Sequence, residues 1–156
     1  MAISPYIKRL RQLIGHELLV LPSVAVLPRR PDGAVLLVRL MDTGQWATIG
    51  GAVEPDESPD QAARREAQEE AGIEVALGRI LGVVGGPEYR VTYPNGDLAS
   101  YVATVFEATV TGGLLRADGD ETSSVKWWNS DALPYDEMGT LTRALLRDVG
   151  LGVAPA

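Results

Sequence analysis

Three glutamates lie close together along the chain, at Glu66, Glu69 and Glu70. On a helix with about 100° between successive residues, this spacing places all three carboxylates on one side. Two charges ~5 Å apart repel by roughly 3 kcal/mol at an effective dielectric of ~20, so three of them require a counter-charge. A divalent cation would supply it, and hard carboxylate oxygens suit Mg²⁺ or Mn²⁺. The spacing therefore indicates a metal site built from carboxylates.

The element that must position these carboxylates is predicted to be a helix from Pro59 to about Ala71. Ser58 provides an N-cap, Pro59 suits the first helical position, and Gln61 completes a capping box. Gly72 suits the left-handed position that ends a helix. The glutamates share a face with four alanines, Ala62, Ala63, Ala67 and Ala71. A solvated acidic face is the usual interpretation of a charge run, but here the apolar neighbours predict that the three carboxylates face the protein.

The composition predicts one soluble cytoplasmic domain. The chain has 156 residues, 46% of them hydrophobic, which is enough for one sizeable core and too little for two ordinary domains. No apolar run approaches the ~18 to 20 residues of a membrane span, and no secretory signal is predicted. A net charge of −7 disfavours binding to nucleic acid. Because the chain has no cysteine, any metal must be held by oxygen ligands or by His16.

The remaining elements are mostly strands. An amphipathic helix is predicted over 4–15, followed by two strands that pair as a hairpin around the turn Pro31-Asp32-Gly33. Further strands are predicted over 46–49, 78–84, 89–93, 98–111 and 123–128, and a last helix over 136–148. The pattern predicts an α+β fold with helices packed on a central mixed sheet, of the α/β/α sandwich type.

Seven residues at fixed spacing resemble the signature motif of the Nudix hydrolases. They are Gly51, Glu57, Arg65, Glu66, Glu69, Glu70 and Gly72. The chain departs from the family pattern at Ile49, Asp56 and Ala67, where a proline, a glycine and a large aliphatic residue are usual. These departures affect packing and the turn before the helix, and they leave the glutamates in place. We expect a Nudix hydrolase domain over 19–156, preceded by an N-terminal helical extension over 1–18.

The resemblance implies an enzyme, a Nudix pyrophosphohydrolase acting on acid anhydrides with Mg²⁺ or, as a substitute, Mn²⁺. Its reaction would be hydrolysis of a phosphoanhydride bond in a nucleoside diphosphate that is linked to another moiety. The resemblance assigns metal binding to Glu66, Glu69 and Glu70, with the Gly51 carbonyl as a further ligand. It also implies that Arg65 orients the glutamates and does not touch phosphate.

Two roles stay open within the resemblance. Glu57 is either an outer metal ligand or an N-terminal helix residue that the helix dipole favours. The general base is either a glutamate of the motif or an acid on a distant loop. For a distant base the best candidate is Glu121, and Asp120 and Glu88 are its competitors.

The substrate is expected to be a small nucleotide, but the class of nucleotide stays open. ADP-ribose, dinucleoside polyphosphates, nucleotide sugars and NTPs are all candidates, because Pro87 resembles members that cleave ADP-ribose and Tyr89 resembles members that cleave diadenosine polyphosphates. Arg39 is a candidate for contact with phosphate. The aromatic rings of Trp46, Tyr89 and Tyr93 are candidates for stacking on a base, although aromatic residues in strands more often belong to the core.

Two other functions are compatible with such a fold. A non-catalytic nucleotide-sensing module is the main alternative, but such relatives generally lose carboxylates of the motif, and this chain keeps them. Isomerisation of an isoprenyl diphosphate commonly needs a cysteine, and the chain has none. No membrane or nucleic-acid partner is expected. Exchange of the N-terminal helix between subunits predicts a homodimer.

Overall fold

The computed structural model describes residues 3–152. This part of the chain contains the helices α1 (Pro5–Ile14), α2 (Pro59–Ala71) and α3 (Thr140–Asp148). It contains the strands β1 (Leu19–Pro28), β2 (Val35–Leu40), β3 (Trp46–Ala47), β4 (Ile49–Ala52), β5 (Ile73–Val84), β6 (Arg90–Thr92), β7 (Leu98–Gly113) and β8 (Thr122–Trp128). Short 3₁₀ turns cover Pro87–Tyr89 and Tyr135–Glu137. The second of these turns explains why the last helix begins later than predicted.

The strands form two sheets. The larger sheet runs in the order β4-β1-β7-β5, and β6 also pairs with β7. Strands β1 and β7 are parallel, whereas the other pairs of this sheet are antiparallel. In the smaller sheet β2 lies between β3 and β8, and both pairs are antiparallel. The predicted mixed sheet is therefore confirmed.

The predicted hairpin of β1 and β2 is wrong. These strands share one isolated bridge, between Arg29 and Val35, and then enter different sheets. The last six residues of β1 and the first four of β2 are all buried. A continuous buried run shows that both faces of a strand are covered, but it does not show which strands are its neighbours. The strand predicted over 46–49 is also divided, since β3 joins the small sheet and β4 the large one.

Helices cover both faces of the large sheet. Successive residues of a strand point to opposite faces, and β1 shows the result. Val24 and Val26 belong to the core that includes the alanines of α2, whereas Ala25 and Leu27 belong to the core that includes α3. The α/β/α sandwich is confirmed. Its packing places α2 against β4, the strand that carries two adjacent glycines.

Helix α1 is present as predicted. The Ser4 hydroxyl caps it by accepting a hydrogen bond from the Ile7 N–H at 3.1 Å. None of the residues of α1 is buried. Within residues 3–152, no helix has both the length and the apolar character that are needed to cross a bilayer.

Candidate active site

Helix α2 begins and ends as predicted. The Ser58 hydroxyl accepts a hydrogen bond from the Gln61 N–H, and the Gln61 side chain accepts one from the Ser58 N–H. Gly72 ends the helix with a φ of 70°, which is the left-handed conformation that glycine adopts without steric cost. These caps fix where α2 starts and stops.

Two of the three glutamates of α2 face the interior. Glu66 and Glu70 are 4% and 5% exposed, on the same face as the buried alanines. Glu69 is exposed, so the prediction that all three carboxylates face the protein is wrong for this residue. On the helical wheel Glu69 lies just outside the arc of alanines. Its carboxylate instead forms an ion pair with Arg65, one turn earlier, at 3.3 Å.

The buried carboxylates approach the backbone of Gly50 and Gly51. The Gly50 N–H donates to Glu70 Oε2 at 3.3 Å, and a Cβ atom on Gly51 would lie 2.3 Å from Glu66 Oε1. Burial raises the pKa of Glu66 to about 7 despite the opposing charge of Arg65. Burial also raises the pKa of Glu70 well above its ordinary value, and the charge of Glu66 adds to this effect. Two negative charges at this position therefore require a counter-charge.

The Arg65 guanidinium joins the acidic residues of the site. Its Nε and one Nη2 hydrogen donate to the two oxygens of Glu57, at 2.7 and 3.0 Å. Its Nη1 donates to Glu66 Oε1 at 2.8 Å and to Glu69 Oε2, and Nη2 also donates to the Ala52 carbonyl. A guanidinium has five N–H groups, and these contacts use all of them. The geometry favours the predicted orienting role over contact with phosphate.

Glu57 is engaged through both carboxylate oxygens. Besides Arg65, its Oε2 accepts a hydrogen bond from the Glu54 N–H at 2.9 Å. The hydrogen bond from Arg65 is the main reason that the pKa of Glu57 lies below its ordinary value. This arrangement favours a role in holding Arg65, and an outer metal ligand at Glu57 stays a prediction.

A cleft of about 500 Å³ opens beside the carboxylates. Glu70, Gly51 and Glu121 contribute to its wall, so a ligand in the cleft reaches the carboxylate site. Trp46 and Tyr93 also line it. Cavities of this size, with a mixture of apolar walls and a few polar groups, are typical of small-molecule sites.

The loop before β8 brings Glu121 to the cleft. Asp118 Oδ1 accepts hydrogen bonds from the N–H groups of Asp120, Glu121 and Thr122, each at 2.9 Å. Thr122 is fully buried, and its hydroxyl donates to the Glu70 carbonyl at 2.8 Å. The loop is thus fixed to α2, and the negative charge of Glu121 contributes to the raised pKa of Glu70.

Comparison with known proteins decides the family. The NUDIX domain model matches residues 20–149, which is most of the chain. The chain belongs to the NUDIX family. The resemblance noted in the motif is confirmed, and so is the predicted class of enzyme, a Nudix pyrophosphohydrolase.

Individual relatives share most of this NUDIX region. The chain is 36% identical over 100 residues to a protein of Bacillus subtilis (strain 168) provisionally named 8-oxo-dGTP diphosphatase, covering 64% of this chain and 60% of that protein. It is 30% identical over 128 residues to the nucleoside triphosphatase NudI of Escherichia coli O1:K1, covering 77% and 90%. The crystal structure of a MutT NUDIX hydrolase from Burkholderia pseudomallei aligns with a TM-score of 0.66 at 28% identity, covering 84% and 98%.

The NUDIX cleft brings together three of the four predicted substrate contacts. Trp46, Tyr89 and Tyr93 line it. Tyr89 is 1% exposed, and its hydroxyl donates to Asp148 of α3 at 2.7 Å, so this ring belongs mainly to the core. The contacts of all three residues with substrate stay predictions.

Arg39 does not line the cleft. Its Nε donates to the Gly44 carbonyl at 2.8 Å, and its Nη2 lies 3.5 Å from Glu137. Its guanidinium also lies 5.9 Å from the centre of the Trp46 ring. Arg39 therefore lies beside Trp46, and its contact with phosphate stays a prediction.

The three candidates for a distant base occupy different places. Glu88 forms an ion pair with Arg147 of α3 at 2.8 Å and lies outside the cleft. Asp120 belongs to the loop that carries Glu121 but does not line the cleft either. Of the three acids, only Glu121 is in the cleft wall, which favours it as the base. Pro87 and Tyr89 lie in one 3₁₀ turn, and their position does not resolve the conflict over the substrate.

Three residues of the site were not predicted from the sequence. Asp118 and Thr122 had a local signal, because an aspartate followed by a glycine-containing polar run is typical of a turn in which the side chain accepts backbone N–H groups. Tyr101 lines the cleft and hydrogen-bonds through its hydroxyl to Tyr93. It had no such signal, since it lies within a long apolar strand.

The chemistry of the donors fits a hard divalent cation. Within residues 3–152, no three acidic or histidine side chains converge as a complete metal-binding group. Mg²⁺ is commonly bound through one or two carboxylates, while water and substrate phosphates complete its shell. Glu70 supplies one such carboxylate in the cleft wall, Glu66 supplies another beside Gly51, and the Gly51 carbonyl lies on the adjacent strand β4. Glu69 pairs with Arg65 through Oε2 alone, and metal binding by Glu69 stays a prediction.

Replacement of Gly51 by alanine is expected to lower turnover about tenfold or more without unfolding the protein. The new Cβ would overlap with the Glu66 carboxylate, which lies at the end of a flexible side chain and can move aside. Gly78→Ala is the control, since a Cβ there would meet Glu107 at an ordinary 3.4 Å. Steady-state hydrolysis and circular dichroism would measure both effects. If Gly51→Ala turns over as fast as the wild type, the close approach of the Glu66 carboxylate to Gly51 is contradicted.

Proposed function

We propose that this NUDIX protein hydrolyses a phosphoanhydride bond in a nucleoside triphosphate and that Mg²⁺ is its cofactor. The observation that carries the proposal is the pair of buried carboxylates, Glu66 and Glu70, beside Gly51 and a cleft of about 500 Å³. Buried acids with raised pKa values at a cleft are typical of functional sites. The names of two relatives, 8-oxo-dGTP diphosphatase and nucleoside triphosphatase, support a triphosphate substrate.

The residues of the chain prepare the site before a ligand arrives. Arg65 holds Glu66, and the Gly50 N–H holds Glu70. A divalent cation bound to these carboxylates would neutralise the substrate phosphates and lower the pKa of a water molecule. Glu66, Glu70 and Glu121 would otherwise repel a polyphosphate, which supports a dependence on the cation. Mn²⁺ is expected to substitute for Mg²⁺, because both prefer oxygen ligands.

The reaction consumes one water molecule and breaks one P–O bond of the anhydride. A nucleoside triphosphate would give a nucleoside monophosphate and pyrophosphate. Trp46 and Tyr93 line the cleft, where an aromatic ring suits stacking on a nucleobase. The same cleft would then hold the base while the carboxylate site holds the phosphates.

Glu121 is proposed to accept the proton of the attacking water. Glu121→Gln is expected to lower kcat about a hundredfold, with little change in KM, because general base catalysis contributes about 10²–10⁴ in rate. Asp120→Asn is the matched control, since it removes a neighbouring carboxylate that lies outside the cleft. A Glu121→Gln variant with the kcat of the wild type would contradict this role and indicate a glutamate of α2 as the base.

A substrate panel tests the proposed function. The protein would be incubated with Mg²⁺ and NTPs, 8-oxo-dGTP, ADP-ribose, diadenosine polyphosphates or nucleotide sugars, and the products identified by mass spectrometry. Water labelled with ¹⁸O would show which phosphorus is attacked. We expect a nucleoside monophosphate and pyrophosphate from at least one triphosphate. Absence of product from every triphosphate would reject the proposal.

The alternative is a nucleotide-sensing module that does not turn over. Tight nucleotide binding in a calorimeter, without cleavage over hours, would support it. The burial of two carboxylates that destabilise each other favours catalysis, because binding alone does not require them.

Several expectations from the sequence stay predictions. They are the cytoplasmic location, the absence of nucleic-acid partners, the division of the chain at residue 19 and the homodimer. Light scattering that gives a monomer mass would exclude the homodimer.

A further inference from the structure

Helix α1 precedes the NUDIX match, which begins at residue 20, and one of its side chains connects it to the rest of the protein. The Arg11 side chain is 13% exposed, although no residue of α1 is buried as a whole. Its Nη1 donates to the carbonyls of Gly15 and Glu17, at 3.1 and 2.6 Å. Its Nη2 donates to the Leu98 carbonyl at 2.7 Å, and its Nε lies 3.5 Å from Asp97 Oδ2. Arg11 thus joins α1 to the start of β7.

The residues that Arg11 contacts end a tight turn between β6 and β7. The Tyr93 N–H donates to the Asp97 carbonyl, and the Gly96 N–H donates to the Tyr93 carbonyl, both at 2.9 Å. The Asn95 side-chain amide donates to the Asp97 carboxylate, and its oxygen accepts a hydrogen bond from the backbone N–H of Asp97, each at 3.0 Å. The turn is therefore closed by hydrogen bonds that link Asp97 to Tyr93.

Tyr93 stands at the cleft end of this turn. The hydroxyl groups of Tyr93 and Tyr101 are hydrogen-bonded to each other, and both residues line the cleft. Each hydroxyl has one proton, so one O–H is used within the pair and the other stays available to an acceptor in the cleft. Burial raises the pKa of both tyrosines, and the positive charge of Arg11 opposes this, as expected for a guanidinium close to the pair.

We propose that Arg11 is a positioning residue that sets the affinity of the cleft for its nucleotide by holding the turn 93–97 and, through it, the Tyr93–Tyr101 pair. The inference rests on the proposed function of the cleft. Arg11 itself does not line the cleft, so its effect passes through the turn. The carboxylates of α2 are not among the contacts of Arg11, and the rate of the chemical step should therefore be independent of it.

The split between KM and kcat tests this inference. Arg11→Met is expected to raise KM about tenfold, equivalent to about 1.4 kcal/mol, while kcat stays within about twofold of the wild type. Arg9→Met is the matched control, because it removes an exposed positive charge from the same helix. An unchanged KM in Arg11→Met, or an equal rise in Arg9→Met, would overturn the proposal.

A double-mutant cycle tests whether the effect passes through Tyr93. Tyr93→Phe removes one hydroxyl of the pair and is expected to raise KM by itself. If Arg11 acts through this hydroxyl, Arg11→Met will raise KM much less in the Tyr93→Phe background than in the wild type. If the KM of the double variant instead rises by the product of the two single fold-changes, as expected for independent sites, the proposed route is overturned.

Hydrogen exchange provides a measurement that needs no substrate. The amides of residues 92–98 are expected to exchange faster in Arg11→Met than in the wild type or Arg9→Met. Unchanged exchange would overturn the proposal even if KM rises. If the wild type cleaves nothing, the proposed function fails, and the exchange result still decides whether Arg11 holds the turn.

Discussion

Glu70→Gln is expected to lower kcat at least about a hundredfold and, in the absence of metal, to make the protein more stable. Glutamine has nearly the same size, and its oxygen can still accept the Gly50 N–H. It lacks the negative charge that a cation requires. Burial disfavours that charge in the folded protein, so its removal should raise Tm in EDTA. Steady-state assays and thermal unfolding would measure the two effects.

The gain in stability is expected to depend on pH. The pKa of Glu66 is about 7 in the folded protein against an ordinary value of 4.5, and the pKa of Glu70 is also raised. At a pH below the ordinary pKa both glutamates are protonated in the folded and in the unfolded protein, so their burial costs little free energy. As pH rises further, the unfolded chain releases these protons first, so the free energy of unfolding of the metal-free wild type falls. Glu70→Gln removes one of these two contributions.

Denaturant titrations of the metal-free proteins test this dependence. Wild type and Glu70→Gln should be nearly equal in stability at about pH 4, and the variant should be the more stable at about pH 8. Glu69→Gln is the control for stability, because the Glu69 carboxylate is exposed and its change should matter little at either pH. If the free energies of unfolding of wild type and Glu70→Gln differ by the same amount at both pH values, the burial of a titrating charge at Glu70 is contradicted.

Arg65→Met is expected to change stability in the opposite direction, with a loss of about 2–4 kcal/mol in the free energy of unfolding. Methionine keeps much of the apolar stem but leaves Glu57 and Glu66 without their shared counter-charge. Turnover should also fall, because Glu66 loses the hydrogen bond that holds it. Urea titrations of the metal-free protein at neutral pH would measure the loss.

The neighbouring arginine provides the matched control for this variant. Arg64 lies on the exposed face of α2 and pairs with Asp60 one turn earlier, at 2.9 Å. Exposed pairs of this kind typically contribute about 0.2–1 kcal/mol, so Arg64→Met should lose much less stability than Arg65→Met. Equal losses in the two variants would show that the helix, and not the guanidinium network, accounts for the effect.

The helix of the site could be predicted because its signals are local. Ser58 and Gln61 mark its start, Gly72 marks its end, and the alanines mark the face that turns inward. The inward direction of Glu66 and Glu70 follows from that face alone. On the same helical wheel Glu69 lies at the border of the apolar arc. Whether a side chain at this border is buried depends on how closely the sheet approaches the helix.

The parts that could not be predicted depend on contacts between distant segments. The sheets are an example, because β1 has the apolar sequence of a strand covered on both faces but nothing local shows that β4 and β7 are its neighbours. The hydrogen bond from Thr122 to the Glu70 carbonyl is another, since it ties a loop to a helix far away in the chain. The Tyr93–Tyr101 pair likewise becomes visible only when β6 and β7 are aligned.

Turnover of a nucleoside triphosphate as a function of free Mg²⁺, measured for wild type and Glu70→Gln in one assay, tests the central claim most directly. We predict that wild-type turnover is absent in EDTA, rises to a plateau as Mg²⁺ is added, and gives a nucleoside monophosphate. Glu70→Gln should remain at least about a hundredfold slower at every Mg²⁺ concentration. Wild-type turnover that persists in EDTA, or equal plateaus for the two proteins, would contradict a catalytic metal site at the carboxylates of α2.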